Sequence, residues 1–362
     1  MIKFLCTIFA LNLLSGCAMA LVDTSATTET QKLYTRLQNV SGHHAYYGYY
    51  PTSNLDSGDT WDEDDYLITG KRKAVLGLYA ERLVSTTFNP EADPDYFNEK
   101  YIIPHLRMGG ILVLYNIPVG NYPTWTVAEI MPGGARRTTY LSKLTVCANY
   151  IKALVDENGD EYPVIVRPFH ENDRPFFFWG NDLITAAEYK ALWIDFVTQM
   201  RDVQGVHNVL YAYCPEFPIP GSTNPLYNED FEVRYPGDDY VDIIGIDHYS
   251  RTSPWDADSI TMIENCANSA ISHGKVSAYF EGNYEIGNYP MDDYWTTGYL
   301  DLIKANATIK KMSIFMTFTS PKYSPLLGRS DATSFNAMVS DGYFLMLPTK
   351  KIRNATLRHS TI

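Results

Sequence analysis

A series of short apolar runs, most of them followed by a helical pattern, is the feature that most restricts the fold of this chain. The runs lie at residues 73–79, 111–115, from 164, 209–213, 241–247, 276–280 and 313–318, and a first unit is expected to begin near the corner S-G-H-H at 41–44. Their apolar residues are continuous rather than alternating, which indicates strands buried on both faces, and hence a parallel sheet covered by helices. About eight such units predict an α/β fold, a (β/α)8 TIM barrel.

Helical periodicity separates the predicted strands. Apolar residues recur at helical spacing over residues 29–40, 95–107, 137–156, 185–203 and 259–272, with further helices around 294–304 and 334–339. Thr185 is predicted to be a helix N-cap, with Glu188 in the capping-box position. Since a barrel of this type commonly uses about 200 to more than 400 residues and no linker or repeat is found after about residue 28, residues 21–362 are predicted to form one domain.

The first 20 residues are predicted to be a secretory signal peptide, because Lys3 precedes an apolar segment, residues 4–14, that is too short to span a bilayer. Two cleavage sites compete. The triplet A-M-A at 18–20 fits a signal peptidase site, whereas L-S-G-C at 14–17 resembles a bacterial lipobox, with a signal of residues 1–16 and an acylated Cys17. The protein is therefore expected to be secreted, or anchored to a bacterial outer membrane only through the lipid on Cys17.

Charge and composition narrow the class of partner. The formal net charge of -13 would repel nucleic acid and anionic membranes, so a neutral ligand is expected, with no nucleic-acid or protein partner. The 28 tyrosines are consistent with stacking on sugar rings and equally with the filling of a large core. The four at positions 46, 47, 49 and 50 leave the same two alternatives open, a distal sugar subsite or packing under the first loop.

Cysteines and sequons add little. Cys147, Cys214 and Cys266 form neither a disulfide framework nor a metal-binding spacing, so buried free thiols are expected. No metal or cofactor is predicted, because His43, His44 and His248 lack the spacing of a zinc site. The sequons that begin at residues 39, 306 and 354 matter only in a eukaryotic host.

Polar residues at the ends of the predicted strands are the candidates for function, because a barrel of this kind carries its site at the carboxyl ends of its strands. These residues are His43, His44, Glu81, Asn116, His170, Glu171, Glu216, Asp247, His248 and Glu281. Glu171 and Glu281 follow strands four and seven, which lie across the barrel mouth from each other. Two carboxylates that face a sugar ring from opposite sides are what glycoside hydrolysis requires. Glu285 is a rival for Glu281, which is preferred because it ends the apolar run.

One segment connects the chain to a known family. R-P-F-H-E-N-D-R-P-F-F-F-W-G at 167–180 resembles the R-P-x-H-E-x-x-G-x-W-F-W-W-G signature of glycoside hydrolase family 26, best known for endo-β-1,4-mannanases. Residues 238–250 are similar to the family's strand-six segment, and G-H-H at 42–44 to its opening G-H-Q. The likeness spans roughly residues 29–345 and implies a (β/α)8 barrel with a retaining double displacement.

The resemblance implies roles for individual residues. Glu171 matches the acid/base, Glu281 the nucleophile, His170 a substrate-contacting histidine and Tyr249 a tyrosine that contacts the nucleophile and substrate. Trp179 and its neighbouring phenylalanines, including Phe176, match an aromatic platform. Without the resemblance, the pattern of Arg167, His170 and Glu171 could equally be a buried ion-pair network. Glu216, after C-P, is expected in a loop near the cleft as a candidate substrate contact.

Several positions depart from the family's pattern. Arg174 replaces a usual glycine, and Phe176 and Phe178 stand where tryptophans are usual; Tyr115 and Asn116 lie where Trp-His is frequent, and Phe318 and Thr319 where mannanases often carry Trp-Arg. These positions, with Tyr115 and Asn116 as candidate substrate contacts, surround the sugar subsites rather than the two carboxylates. The resemblance therefore implies that the reaction is kept and favours an endo-β-1,4-mannanase, while the departures leave the sugar open. The alternatives are a β-1,3-xylanase, a mixed-linkage β-glucanase and a non-catalytic carbohydrate-binding barrel.

Overall fold

Eight parallel strands close into a barrel in the computed structural model, which describes residues 21–50, 64–80, 101–116, 125–218, 221–224, 228–250, 254–284, 291–318 and 322–348. The ring closes because the first strand pairs with both the second and the eighth. In order the strands are β1 (Ala45–Tyr49), β2 (Val75–Tyr79), β3 (Ile111–Tyr115), β4 (Val164–Arg167), β5 (Val209–Tyr213), β6 (Ile243–Ser250), β7 (Val276–Tyr284) and β8 (Ile314–Thr317), and a short β9 (Phe344–Leu345) pairs with the start of β1. The predicted (β/α)8 barrel is confirmed.

Helices occupy the connections between the strands. They are α1 (Thr28–Val40), α2 (Asp64–Thr69), α3 (Ile103–Arg107), α4 (Val127–Ile130), α5 (Arg137–Ala153), α6 (Ala186–Thr198), α7 (Phe231–Arg234), α8 (Ala257–Ser272), α9 (Asp301–Ala305) and α10 (Ala332–Asp341). A π-helical turn (Gln199–Val203) continues α6, and another (Tyr294–Leu300) precedes α9. At the start of α6 the predicted capping box is present, since the Thr185 side chain accepts from the Glu188 amide and the Glu188 carboxylate accepts from the Thr185 amide.

Successive residues of one strand enter two different cores, which explains the continuous apolar runs. In β4 the side chains of Val164 and Val166 pack toward the surrounding helices, whereas Ile165 belongs to the inner cluster. Leu33 and Leu37 of α1 join this inner cluster together with residues from the strands. Because a strand buried on both faces has no solvent side, no polar alternation appears in its sequence.

Strand β1 occupies residues 45–49, immediately after the predicted corner. Its tyrosines settle the alternative left open by the sequence, because Tyr47 and Tyr49 are fully buried and the following Tyr50 is 1% exposed. Tyr47 packs on Trp295, Phe335 and Phe344. These rings are core residues, so the distal sugar subsite at 47, 49 and 50 is wrong.

Strands β6 and β7 run farther toward the barrel mouth than predicted, by three and four residues. They pair with each other over this added length, with a register shift between Ile246 and Asp247. Tyr249 and Glu281 therefore lie within strands rather than beyond them. A side chain on a strand is held more rigidly than one on a loop, which suits a positioned functional group.

Several predictions concern residues outside the described part of the chain. These residues are the signal peptide, Cys17, Glu81, Glu285 and Thr319. The three cysteines of the body are free and buried, as predicted. Among the described residues, none of the helices combines the length and the apolar character that crossing a bilayer requires.

Candidate active site

Glu171 and Glu281 reach the same end of the barrel from β4 and β7. Glu171 lies four residues after the end of β4, in a left-handed backbone conformation with φ of 49°, and its amide donates to the carbonyl of Cys214 at 2.8 Å. Glu281 lies within β7. The two side chains are 7% and 6% exposed as residues, so both carboxyl groups are largely removed from solvent. Left-handed conformations of non-glycine residues are uncommon and concentrate at functional sites.

Arg167, the last residue of β4, organises the inner part of the site. Its guanidinium is fully buried and forms ion pairs with Asp247 of β6 and, at 2.5 Å, with Oε2 of Glu281. The same group donates to the hydroxyl of Tyr50 at 3.1 Å. Arg167 thus belongs to a buried ion-pair network, but its partners are Asp247 and Glu281 rather than the neighbouring His170 and Glu171 of the sequence pattern.

The second oxygen of the Glu281 carboxylate is held by Tyr249. The Tyr249 hydroxyl donates to Oε1 of Glu281 at 2.7 Å, as the resemblance implied for this tyrosine. With Arg167 on Oε2, each oxygen of the carboxylate has a donor. Charge-assisted hydrogen bonds of this kind fix the orientation of a carboxylate and are strongest when the carboxylate is ionised.

Glu171 has the opposite electrostatic environment. Burial raises the pKa of its carboxyl group well above the usual range, and the negative charges of Glu216, Asp247 and Glu281 raise it further, while the positive charge of Arg167 opposes them. Phe176, which is 51% exposed, lines the same cavity as this carboxyl group. The raised pKa favours the protonated form of the Glu171 carboxyl group, which is the form that a general acid needs.

This environment predicts a change in pH dependence. Because the charge of Glu216 is the second-largest cause of the raised pKa, Glu216→Gln should lower the pKa of Glu171. An acid with a lower pKa loses its proton at lower pH, so the alkaline limb of the activity profile should move to lower pH. Profiles of kcat/KM against pH for the two proteins measure the shift; a limb that stays in place or moves upward contradicts it.

An open cavity of about 640 Å³ lies beside Glu171. Its walls are formed by Glu171, Arg174, Phe176, Glu216, His248, Tyr249, Ser250, Asp256, Asp258, Ser259, Met262, Phe318 and Tyr323. Burial lowers the pKa of His248 to about 4, so this histidine is neutral, and its Nε2 lies 2.8 Å from the Ser259 hydroxyl. The residues from α8 and Tyr323 carry no signal in the sequence, because nothing in their local pattern distinguishes them from other helix or loop residues.

Some of the predicted substrate-contacting residues line the cavity and others do not. Phe176, Glu216 and Tyr249 line the cavity. Trp179 does not: it is 2% exposed, stacks on Phe177 with ring centroids 4.6 Å apart, and donates its indole N–H to the His170 carbonyl at 2.8 Å. Since a buried ring offers little face to a sugar, Trp179 supports the backbone next to Glu171 instead of forming an open platform.

The remaining candidates lie on the β3 side. The Tyr115 ring, at the end of β3, meets the His170 ring edge-on at 5.7 Å. Asn116 follows with φ of 55°, and its amide donates to the Arg167 carbonyl at 3.2 Å. Burial, with a contribution from the charge of Arg167, lowers the pKa of His170 well below its usual value, so His170 is neutral.

Three side chains of metal-binding type lie together among the residues that the structure describes. His170, Asp247 and Glu281 offer atoms within 4.8 Å of one another. Arg167 already forms ion pairs with both carboxylates, so its guanidinium supplies the positive charge there. Cys214, which the sequence did not single out for this site, lies beside these side chains, and its Sγ donates to Oδ1 of Asp247 at 3.1 Å.

The backbone just after Glu281 is unusual. Gly282 has φ of 137° and Asn283 has φ of 124°. A Cβ at Gly282 would overlap the carbonyl oxygen of His248, so only glycine lets β6 and β7 approach this closely. Asn283 is held in place by the hydroxyl of Tyr294, which donates to its Oδ1, and by its own donation to the Tyr323 carbonyl at 2.8 Å.

A barrel whose mouth carries one buried carboxyl group with a raised pKa and a second, ion-paired carboxylate has the paired acids that characterise the glycoside hydrolases. The model of glycosyl hydrolase family 26 matches residues 22–280, and the chain belongs to this family. The resemblance read from the sequence is thereby confirmed.

Relatives and solved structures agree with this assignment. The chain is 30% identical over 286 residues to a mannan endo-1,4-beta-mannosidase of Bifidobacterium adolescentis, covering 74% of this chain and 28% of the relative, and 28% identical over 201 residues to one of Bacillus subtilis, covering 50% and 52%. It thus spans about half or less of the length of these relatives. The catalytic domain of the Bacillus sp. JAMB-750 GH26 endo-beta-1,4-mannanase superposes with a TM-score of 0.76 at 28% identity, covering 90% of this chain and 93% of that one. A modular endo-beta-1,4-mannanase of Cellulomonas fimi gives 0.77 at 26%, covering 91% and 78%.

Proposed function

We propose that this chain is a retaining glycoside hydrolase that cleaves β-1,4-mannosidic bonds in mannan-type plant polysaccharides. The observation that carries the proposal is the contrast between the two glutamates. Glu281 is an ion-paired carboxylate with a donor on each oxygen, whereas burial and neighbouring negative charge raise the pKa of Glu171. Double displacement at a sugar requires this pair, one ionised nucleophile and one protonated acid.

The reaction has two steps. In the first, a Glu281 oxygen attacks the anomeric carbon while Glu171 gives its proton to the glycosidic oxygen, so the bond to the leaving sugar breaks and a glycosyl ester of Glu281 forms. In the second, Glu171, now ionised, takes a proton from water, whose oxygen attacks the same carbon and releases Glu281 as a carboxylate. Two inversions give net retention. Arg167 and Tyr249 hold Glu281 in position for the attack.

Mannan is favoured because the relatives and the two solved structures described above carry the names of mannanases. The departures at Arg174 and Phe176, which line the cavity where a sugar would be recognised, leave room for a second candidate, a β-1,3-xylanase or a mixed-linkage β-glucanase. A non-catalytic carbohydrate-binding barrel is the third candidate. The pair of differently held glutamates argues against it, since a binding protein has no need of them.

A comparison of polysaccharides tests these candidates. Release of reducing ends from galactomannan, β-1,3-xylan, mixed-linkage glucan and carboxymethylcellulose should be greatest for galactomannan, and the first product should have the β configuration by proton NMR. Glu281→Gln is the matched inactive control. A preference for xylan or glucan would replace the proposed substrate, an α product would exclude retention, and binding without cleavage of any polymer would favour the carbohydrate-binding barrel.

We further propose that the protein is exported, through a signal peptide at residues 1–20 or through a lipid on Cys17. The mass of the mature N-terminus, measured after expression in a bacterial host, distinguishes the two. A chain that begins near residue 21 supports secretion, an acylated Cys17 supports anchoring, and an intact Met1 contradicts both.

A further inference from the structure

An ion pair between Arg174 and Glu216 forms one wall of the cavity next to Glu171. The Arg174 Nε lies 2.5 Å from Oε2 of Glu216, and the Arg174 side chain is 1% exposed, whereas that of Glu216 is 18% exposed. The buried partner is thus the cation, and the more exposed partner is the carboxylate.

Arg174 is held on its other sides as well. Its Nη1 donates to the carbonyl and carboxylate of Asp173 at 2.9 and 3.0 Å, and its Nη2 donates to the Phe217 carbonyl at 2.9 Å. The Glu216 amide in turn donates to Oδ1 of Asp173 at 2.8 Å. Both ends of the pair are therefore anchored to one rigid loop region, so the carboxylate is presented in a fixed orientation. Such preorganisation lowers the entropic cost of binding a ligand.

We infer that Glu216, positioned by Arg174, is the residue that recognises the sugar on the leaving side of the scissile bond, by accepting hydrogen bonds from its hydroxyl groups. This inference rests on the proposed function. It assigns a role to Arg174, which stands where the family's signature has a glycine and so gives this chain a contact that the signature does not provide.

The side of the bond follows from the place of Glu171. A general acid protonates the glycosidic oxygen and must therefore lie beside the leaving sugar. Glu171, Arg174, Phe176 and Glu216 line the same cavity, whereas Glu281 is not among its lining residues. The half-exposed ring of Phe176 adds an apolar face to this wall, and a carboxylate next to an aromatic ring suits a sugar, which carries hydroxyl groups around an apolar ring face.

Glu216→Ala tests the inference through two substrates that both need protonation by Glu171. β-1,4-Mannotetraose has a sugar as its leaving group, whereas phenyl β-mannobioside releases phenol, which has no sugar hydroxyls. At a pH on the plateau of both proteins, kcat/KM for the tetraose should fall about 10- to 100-fold, the range for a lost hydrogen bond to a charged group. That for the phenyl glycoside should change little. An equal loss on both substrates would mean that Glu216 only tunes Glu171, and no loss on either would mean that it does not contact the sugar; both results overturn the inference.

Two further variants complete the experiment. Arg174→Lys, which keeps the charge but not the planar donor group, should reproduce the selective loss on the tetraose, mainly as a higher KM. Glu229→Ala breaks a comparable pair, in which the Arg234 side chain is 3% exposed and that of Glu229 is 23% exposed, away from the cavity lining; it should leave both substrates unaffected. A wild-type protein that cleaves neither substrate would refute the proposed function itself, whereas active wild type with an unaltered Glu216→Ala would refute only the inference.

Discussion

Replacement of Glu281 by alanine is expected to lower kcat on polysaccharide by about 10⁴-fold or more, because the group that attacks the anomeric carbon is removed. The fold should survive, since Arg167 keeps its ion pair with Asp247 and is not left as an unpaired buried charge. Initial rates on galactomannan and thermal unfolding of the two proteins measure these effects.

Azide makes this result specific for a nucleophile. In Glu281→Ala the small anion can enter the vacated space and attack the anomeric carbon from the face opposite the leaving group, so an activated β-glycoside should give the α-glycosyl azide. Tyr249→Ala, which removes a neighbour of the same carboxylate, is the matched control and should give no azide product. A Glu281→Ala protein that retains wild-type turnover, or that yields the β-azide, would assign the nucleophile elsewhere, with Glu285 the next candidate.

Replacement of Glu171 by alanine is expected to reduce cleavage of galactomannan by about 10² to 10⁴-fold, because the leaving sugar must then depart without a proton. A dinitrophenyl β-glycoside, whose leaving group needs no protonation, should still react in the first step. The intermediate should then accumulate, because water lacks its general base in the second step. A burst of dinitrophenol followed by slow turnover would report this change in the rate-limiting step.

Added azide separates this variant from the previous one. Azide needs no base, so it should release the accumulated intermediate as the β-glycosyl azide, with net retention. Glu171→Gln should behave in the same way on the dinitrophenyl substrate, with the shape of the side chain preserved. Equal losses on galactomannan and on the dinitrophenyl glycoside would contradict the role of Glu171 as proton donor.

The barrel was predictable because its strands are buried on both faces and therefore leave continuous apolar runs. The exceptions have physical reasons. Strand β1 reads A-Y-Y-G-Y and lacks the β-branched residues that mark the other runs. The ends of β6 and β7 consist mainly of polar residues, D-H-Y-S and E-G-N-Y, because residues of the candidate site lie there. Polar residues depart from the apolar pattern of a buried strand at positions where function requires them.

The placement of the two glutamates at one end of the barrel was predictable from their positions at the ends of strands four and seven, and the resemblance implied the contact between Tyr249 and Glu281, but the other contacts of the site were not predictable. The contacts of Arg167 depend on residues 80 and 114 positions away along the chain, Asp247 and Glu281, which the local sequence does not connect. Trp179 illustrates the same limit, because a match to an aromatic platform does not tell which ring faces the cavity. Phe176 lines the cavity, whereas Trp179 is buried and is not among its lining residues.

The influence of the Glu281 charge on Glu171 has a consequence for the complete reaction cycle. That charge is one of the causes that raise the pKa of Glu171, and in the proposed double displacement it disappears when Glu281 becomes a neutral glycosyl ester. The proton affinity of Glu171 therefore falls at the moment when its task changes from giving a proton to accepting one. When water restores the Glu281 carboxylate, the affinity rises again and Glu171 is ready to protonate the next substrate. In the proposed cycle this electrostatic coupling between the two glutamates lowers and raises the proton affinity of Glu171 in step with its two tasks.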